Sequence, residues 1–418
     1  MAGLLPRLSL DADRSYTNGQ SFGPEFYGSS LLTVEQSENI VQSYWTVTLT
    51  QPLFSWSALE RLAAANSAAA AAAATYASAR MTLLRNLVER YLAVQVAQSQ
   101  LTATQKADQA FTIEAREARA RHRAGLRGII GFEEARSAEA NAQAEVIGAR
   151  HALGRALAAL AELTGPAFRP KLAEHPKPLP LIPRPPLGRN AWLHAAVRSN
   201  PTVLAARLRA RSAHTQVSAA RGGYWPSVRL QLSHARNLTG GTYGYAVPGV
   251  LDLPSPAANT AQENVVLLNL HWNFYAGGST TASVDHAEDE AALARAQAAR
   301  TALESLTAAR EAYGSLHADV AQVRAYEASA LAARRAVVAT EDGVKAGLRS
   351  EFDLVNARQA LLNAEIHLPE VRAAVINDTL ALEATAGLLT PRSVLQLSRL
   401  LESTSHANAA GFAQDADR

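Results

Sequence analysis

Residue types that catalyse reactions are present in this chain, but their spacing forms no catalytic or metal-binding motif. The signatures HExxH, GxSxG, GxxxxGK[ST] and GxGxxG are absent, and no two of the eleven histidines stand four residues apart. The chain has no cysteine, which excludes disulfides and thiolate metal sites. We therefore predict that the protein is not an enzyme and that it uses no cofactor or metal.

One short segment with a cationic end occurs twice. Residues 124–127 and 346–349 both read Ala-Gly-Leu-Arg, 222 positions apart, each time between two helical patterns. Three further matches have nearly the same offset. They are Pro6 with Pro226, Leu49 with Leu270, and Gly165 with Gly387. Four matches at one nearly constant offset indicate an internal duplication.

Each half opens with two patterns in which apolar and polar residues alternate, as in β-strands. The apolar positions are Leu8, Leu10, Ala12, Trp45, Val47 and Leu49 in the first half, and Val228, Leu230, Leu232, Val266, Leu268 and Leu270 in the second. Segments 17–42 and 236–263, rich in Gly, Ser, Asn and Pro, lie between these patterns. We predict that they are long loops.

A long helical pattern without proline follows each predicted hairpin, over about 55–123 and 279–345. Apolar residues recur there at the spacing of a coiled coil, and 69 helical residues would span ~100 Å. Shorter return helices are predicted at about 131–163 and 351–387. Between the halves, residues 166–186 hold eight of the eighteen prolines and are predicted to be extended.

These patterns define the predicted domain boundaries. They are a first repeat at 4–165 (hairpin 4–54, helical hairpin 55–165), a proline-rich linker at 166–189, a second repeat at 190–390 (helix 190–223, hairpin 226–275, helical hairpin 279–388) and a partly disordered tail at 391–418.

Charge and hydropathy limit the possible partners. Lys and Arg (40) nearly balance Asp and Glu (37), and no basic tail or patch stands out, so nucleic acid is not expected as a partner. No 18-residue apolar run is present, which excludes a transmembrane helix. Four strands would leave two open sheet edges. Because a β-barrel needs about eight strands or more, two or three copies must share one barrel.

The chain resembles the TolC family of bacterial outer-membrane efflux and secretion channels from about residue 4 to 400. The matching segments are LLPRLSL, WxVxLxQPLF, SNP at 199–201, AARGGYWPSVRL, FYAGG at 274–278, the paired AGLR turns and ATAGLL at 384–389. Their order is specific, although each motif alone is weak.

The resemblance implies the fold class, location and partners. It implies an α + β membrane protein with a long coiled-coil helical barrel, to which each chain of a homotrimer adds four strands of a small antiparallel β-barrel. The channel would lie in outer-membrane lipid, extend into the periplasm and serve as a passive export duct of a tripartite pump or type I secretion system. Its partners would be a periplasmic adaptor (membrane fusion) protein and an inner-membrane pump or ABC exporter. The alternative is a soluble helical-rod scaffold or adaptor-like protein.

The resemblance also implies two functional sites. Adaptor contacts would fall on the two turns, at Ala124, Gly125, Leu126, Arg127, Ala346, Gly347, Leu348 and Arg349. Arg349, Asp353 and Asn356 would form the periplasmic gate, where three Asp353 carboxylates around one pore favour cations. Gly131 and Val344 replace family latch residues. Glu133 or Glu134 would then pair with Arg349, or would belong to a solvated charge run.

The beginning of the chain carries one further expectation. Residues 1–10 do not form a signal peptide, and the helix that would complete the first repeat is not encoded before Pro6. We therefore expect Met1 to be an internal or misassigned start, with a signal peptide and one more helix upstream.

Overall fold

The computed structural model describes residues 3–27, 29–125, 128–165, 179, 188–247 and 251–399. The elements are β1 (Arg7–Tyr27), β2 (Ser30–Phe54), α1 (Trp56–Arg123), α2 (Ile129–Thr164), α3 (Arg189–Arg198), α4 (Pro201–Arg221), β3 (Ser227–Val247), β4 (Leu251–Pro256), β5 (Asn259–His271), α5 (Ser279–Lys345) and α6 (Glu351–Thr385). Most of the predicted linker and residues 400–418 of the predicted tail lie outside these ranges, whereas residues 391–399 are helical.

The chain divides into two compact units. The first comprises Met1–Ala70 and Leu208–Ala296, which include all five strands, and the second comprises Ala71–Arg207 and Gln297–Arg418.

An antiparallel sheet organises the first unit. β1 pairs with β2, β2 with β3, and β3 with both β4 and β5. Because β4 pairs with 242–247 and β5 with 227–239, the two together make up a fourth column of the sheet. β1 and this fourth column are therefore the two edges of the sheet, each with unpaired backbone groups within one chain.

The predicted loops at 17–42 and 236–263 are wrong, because most of both segments is sheet. β1 and β2 stay paired from Arg7 with Thr50 to Tyr27 with Ser30, and β3 continues to Val247. Backbone pairing with a neighbouring strand stabilises these polar residues as sheet, which local composition does not reveal. The fourth predicted strand, whose apolar positions start at Val266, is observed as β5, which begins earlier, at Asn259, and ends at His271.

Small and aliphatic side chains pack the long helices of the second unit. Val88 and Leu92 of α1 are buried with Ile376 and Leu380 of α6. A second cluster joins α3, α5 and α6 and contains Trp192, Leu316, Val323, Val375, Leu382 and Ala386. Leu316 and Val323 stand seven residues apart in α5, the spacing of a coiled coil.

The helix predicted over 190–223 is two helices, which separate at Ser199 and Asn200. Pro201 has no backbone N–H and disfavours helical geometry at the residue before it. Asn200 is buried, and its Oδ1 accepts a hydrogen bond from the backbone N–H of Thr202 at 2.8 Å. Its Nδ2 donates to Ser305 Oγ and to the Thr385 carbonyl, each at 3.0 Å. The break therefore anchors α4 to α5 and α6.

Candidate functional site

The turn between α5 and α6 depends on a glycine. Gly347 has φ +76°, a conformation that side chains disfavour. Its N–H donates to the Val344 carbonyl at 3.1 Å, and the Leu348 N–H donates to the Gly343 carbonyl at 2.8 Å. This pair of bonds is a Schellman motif, which satisfies the last carbonyls of α5.

The turn after α1 has matching geometry. Gly125 has φ +71°, and its N–H donates to the His122 carbonyl at 2.9 Å. Leu126 and Arg127, predicted adaptor contacts, lie outside the described residues. The other predicted contacts are exposed, and Leu348 is 82% exposed. An apolar side chain this exposed on a regular turn is available to a partner.

Asp353 caps α6. Its Oδ2 accepts hydrogen bonds from the Ser350 backbone N–H at 3.0 Å and from Ser350 Oγ at 2.9 Å. The Asp353 N–H donates to Ser350 Oγ at 3.1 Å, which completes a capping box. These bonds to Ser350, together with the Arg349 charge, lower the pKa of the Asp353 carboxyl. Asp353 is thus an anion at the start of α6.

The other two predicted gate residues are exposed. Arg349 directly precedes the capping residue Ser350, and Asn356 lies on the first turns of α6. The suggested pairing of Arg349 with Glu133 is not seen, because Glu133 pairs with Arg136 at 3.7 Å. Arg349, Asp353 and Asn356 thus all lie in the turn between α5 and α6 or in the first turns of α6.

A reciprocal set of ion pairs joins α1 to α6, and it was not predicted. Arg121 Nη1 lies 2.6 Å from Glu351 Oε1, and Arg358 Nη1 lies 2.9 Å from Glu114 Oε2. Each helix has a Glu followed by an Arg seven residues later, so two antiparallel copies of one pattern pair with each other. Both glutamates are buried, at 4% exposure. In the sequence, the seven-residue spacing of glutamate and arginine is the one signal of these ion pairs. This spacing does not show which helix provides the partner residues.

Glu114 is held in an unusual environment for a carboxylate. Burial raises its pKa from 4.5 to about 7, against the opposing charge of Arg358, while the charge of Glu351 adds to the rise. Arg358 Nη1 donates a hydrogen bond to the Ala110 carbonyl at 2.8 Å, and neither Glu114 oxygen accepts one. The Glu114 carboxyl therefore titrates well above the ordinary pKa of a glutamate.

Gly131, at the start of α2, lies beside this network. A Cβ at Gly131 would be 3.2 Å from Glu351 Oε2, so the glycine lets α2 come close to the Arg121–Glu351 pair. Val344 is buried at 7% exposure. Ion pairs therefore hold α1 and α6 together near the two turns, where Gly131 and Val344 replace the latch residues of the family.

The sheet has one apolar and one polar face. Residues paired between neighbouring strands have their side chains on the same face, and we call such a row of paired residues a rung. The rung Leu8–Leu49–Leu232–Val266 crosses all four columns of the sheet. This apolar face consists of Leu8, Leu10, Val47, Leu49, Val228, Leu230, Leu232, Val266, Leu268 and Leu270, and many of these side chains are exposed. The polar face includes Ser9, Asp11, Thr46, Thr48 and Thr50, with Val265 and Leu267 as apolar exceptions. Such alternation is typical of a strand with lipid on one side and water on the other.

Other kinds of site find no support in the described ranges. No three His, Asp or Glu side chains there are arranged to bind a metal ion. No helix of the described part of the chain is long and apolar enough to cross a membrane.

The fold is that of solved outer-membrane channels. CusC superposes with a TM-score of 0.72 at 14% identity, covering 92% of this chain and 84% of CusC. The outer membrane protein VceC from Vibrio cholerae superposes with a TM-score of 0.70 at 19% identity, covering 92% of this chain and 88% of VceC. The fold class is therefore the α + β fold of these channels.

The chain belongs to the outer membrane efflux protein family, whose model matches residues 1–166 and 192–388. It is 26% identical over 421 residues to the outer membrane protein TolC of Escherichia coli K12, covering 98% of this chain and 80% of TolC. It is 25% identical over 389 residues to the alkaline protease secretion protein AprF of Pseudomonas aeruginosa, covering 93% of this chain and 78% of AprF.

Family membership fixes the location and general role. The protein is an outer-membrane efflux or secretion channel that extends into the periplasm, and its relatives are channels rather than enzymes. The alternative of a soluble scaffold is wrong.

Proposed function

We propose that three copies of the chain form a passive export duct through the outer membrane. The observation that carries this proposal is the exposed apolar face of a sheet with two open edges. Four columns cannot close a barrel, which needs about eight strands or more, so two copies would supply eight strands and three would supply twelve. The resemblance to the TolC family favours three copies. Closure would join the β1 edge of one copy to the β5 edge of the next and bury the unpaired backbone groups.

The duct works with a periplasmic adaptor protein and an inner-membrane pump or ABC exporter. The named relatives support both kinds of system, since AprF and the Dickeya chrysanthemi protein PrtF are secretion proteins and the family is described as an efflux family. The adaptor contacts the two glycine turns, because they are exposed and duplicated. Leu348 and Arg349 provide an apolar and a cationic contact there.

The periplasmic mouth selects for cations. In a trimer, Asp353 would contribute three carboxylates around one axis, with Arg349 and Asn356 beside them. The lowering of the Asp353 pKa by its hydrogen bonds to Ser350 supports this role, because it favours the charged form of the carboxyl.

Substitutions on opposite faces of β5 test the barrel. Leu268→Arg puts a cation on the apolar face, at a cost of up to about 2–4 kcal/mol near the bilayer midplane. The matched variant Leu267→Arg changes the neighbouring residue on the polar face. We expect Leu268→Arg to reduce the amount of assembled protein in the outer membrane strongly and Leu267→Arg to reduce it little.

Native mass spectrometry of the detergent-solubilised protein gives the copy number. A mass of three times that of one chain is expected. A monomer or a dimer, or equal loss of assembly in both arginine variants, would contradict the trimeric duct.

A further inference from the structure

The apolar face of the sheet changes character at one end. Beyond the rung Leu8–Leu49–Leu232–Val266 lie the rungs Leu10–Val47–His234–Asn264, Ala12–Trp45–Arg236–Gln262 and Arg14–Ser43–Leu238–Thr260. Aliphatic residues thus give way, within three rungs, to two arginines, a histidine and a tryptophan on the same face. We call Arg14 and Arg236, with His234 and Trp45, the arginine row.

The charges of these strands are segregated by face. Asp11 and Glu263 share a rung with Thr46 and Ala235 on the polar face, and Asp13 lies on that face too. The nearest acidic residues on the face of the arginine row are Glu35 and Asp252. Glu35 and Asp252 share one rung of the sheet. This rung lies eight residues along β2 from the rung of Ser43 and Arg14, a distance of ~26 Å. No carboxylate is therefore close enough on this face to neutralise Arg14 or Arg236.

The side chains of the arginine row are available and partly oriented. Arg14 is exposed and Arg236 is half-buried, with its Nε buried and without a hydrogen-bond partner. His234 Nδ1 lies 2.7 Å from Asn264 Oδ1, and its ring centroid lies 5.2 Å from that of Trp45. These contacts support the indole next to Arg236. Tryptophan is enriched where a membrane meets water.

The row lies at the outer side of the apolar band. The opposite ends of β2, β3 and β5, at Phe54, Ser227 and His271, adjoin the segments that lead to or from helices. Since the protein extends into the periplasm, those ends face the periplasm and the arginine row faces the outer leaflet. Arginine binds phosphate oxygens through two parallel N–H donors, so it suits an anionic lipid headgroup.

We propose that the arginine row is a binding site for a phosphate-bearing headgroup of an outer-leaflet lipid. The site rests on the proposed trimer, in which the apolar face contacts lipid. Arg14 and Arg236 stand two strands and one rung apart, roughly 12 Å between backbones, so that both side chains can reach one headgroup. The acyl chains of the lipid would pack against Leu8, Leu10 and Leu232.

Two double variants test this site. Arg14→Gln with Arg236→Gln removes the row, and Arg7→Gln with Arg229→Gln removes one arginine from each of the same strands on the polar face. The detergent-solubilised protein is titrated with diphosphorylated lipid A, a phosphate-bearing outer-leaflet glycolipid, and adducts are counted by native mass spectrometry. Loss of two interfacial arginines should weaken the binding of lipid A about 30-fold in the first double variant. The control should bind lipid A as the wild type does.

Each other outcome counts against the site. Unchanged binding in the first double variant, an equal loss in both, or full competition by millimolar inorganic phosphate would overturn it. The same spectra report the copy number. A trimer that binds lipid A without discriminating between the variants overturns the site alone, whereas a spectrum of monomers overturns the trimer and the site together.

Discussion

Asp353 has two roles that can be separated by experiment. Its carboxylate caps α6 through Ser350, and its charge is proposed to select cations at the mouth. The hydrogen bonds that cap the helix also lower the pKa of Asp353, so the cap maintains the charge on which selectivity depends. Sequence motifs imply the charge through the family, but only the structure reveals the capping box.

The first prediction concerns the reversal potential of the channel in planar bilayers under a salt gradient. Asp353→Asn should shift this potential towards zero, because the anionic ring is lost. The control Ser350→Ala removes a hydroxyl from the cap, at a cost of about 1 kcal/mol, and leaves the carboxylate in place. It should retain the cation preference. Equal shifts in both variants would mean that helix capping, rather than charge, determines selectivity.

The second prediction concerns Glu114, whose pKa is raised from 4.5 to about 7 in the folded state. The folded state then binds the proton more tightly than the unfolded state does. This contribution to stability is complete below pH 4.5 and is lost as pH rises through 7, an effect of at most about 3 kcal/mol. Glu114→Gln should abolish this loss.

The measurement is chemical unfolding of the detergent-solubilised protein at pH 5 and pH 8. The wild type should be less stable at pH 8 than at pH 5 by a larger margin than Glu114→Gln. Identical pH dependence in the two proteins would show that Glu114 does not titrate in this range.

Among the helices, the reciprocal pairs between α1 and α6 are the main polar contact near the turns. Arg121→Gln leaves the buried Glu351 without its cation, and breaking a buried pair costs about 3–5 kcal/mol. Arg136→Gln, which breaks the exposed pair with Glu133, should cost less than about 1 kcal/mol. This third prediction is checked by denaturant midpoints of the two variants. Similar midpoints would mean that water replaces Arg121 at Glu351.

The helices were easier to predict than the sheet. Apolar periodicity and the Ala-Gly-Leu-Arg turns gave the limits of α5 and α6 to within about two residues, because both signals are local. Residues 17–27 and 30–41 carry the composition of loops, yet they pair along their whole length. Their stability as strands comes from a partner distant in sequence, as it does for β2 with β3. For the same reason, the pairs Glu114–Arg358 and Arg121–Glu351 could not be predicted.

For the assembled molecule, the duplicated turns make a fourth prediction. Arg349→Glu should weaken chemical cross-linking to the adaptor while leaving the trimer mass unchanged, because the exposed turn makes no contribution to the sheet. Arg335→Glu is the matched control, because it reverses an exposed charge on α5, fourteen residues before Arg349. Equal weakening by both variants would indicate long-range charge steering instead of contact at the turn.

The sequence of one chain does not specify how many copies form the assembly. Alternating residues indicate a lipid-facing sheet, and the internal duplication gives two hairpins per chain. Closure depends on strand tilt and stagger between copies, which no pattern within one chain specifies.

The length of the first hairpin has an evolutionary consequence. The sheet extends well past the apolar band, and this outer part mixes polar residues with exposed aromatic residues such as Phe22 and Phe26. Adding or deleting a single residue would turn every later side chain to the other face, whereas adding two residues on each strand preserves every face. Natural variants should therefore differ in the length of this hairpin by matched pairs of residues, while the rungs of the apolar face stay unchanged.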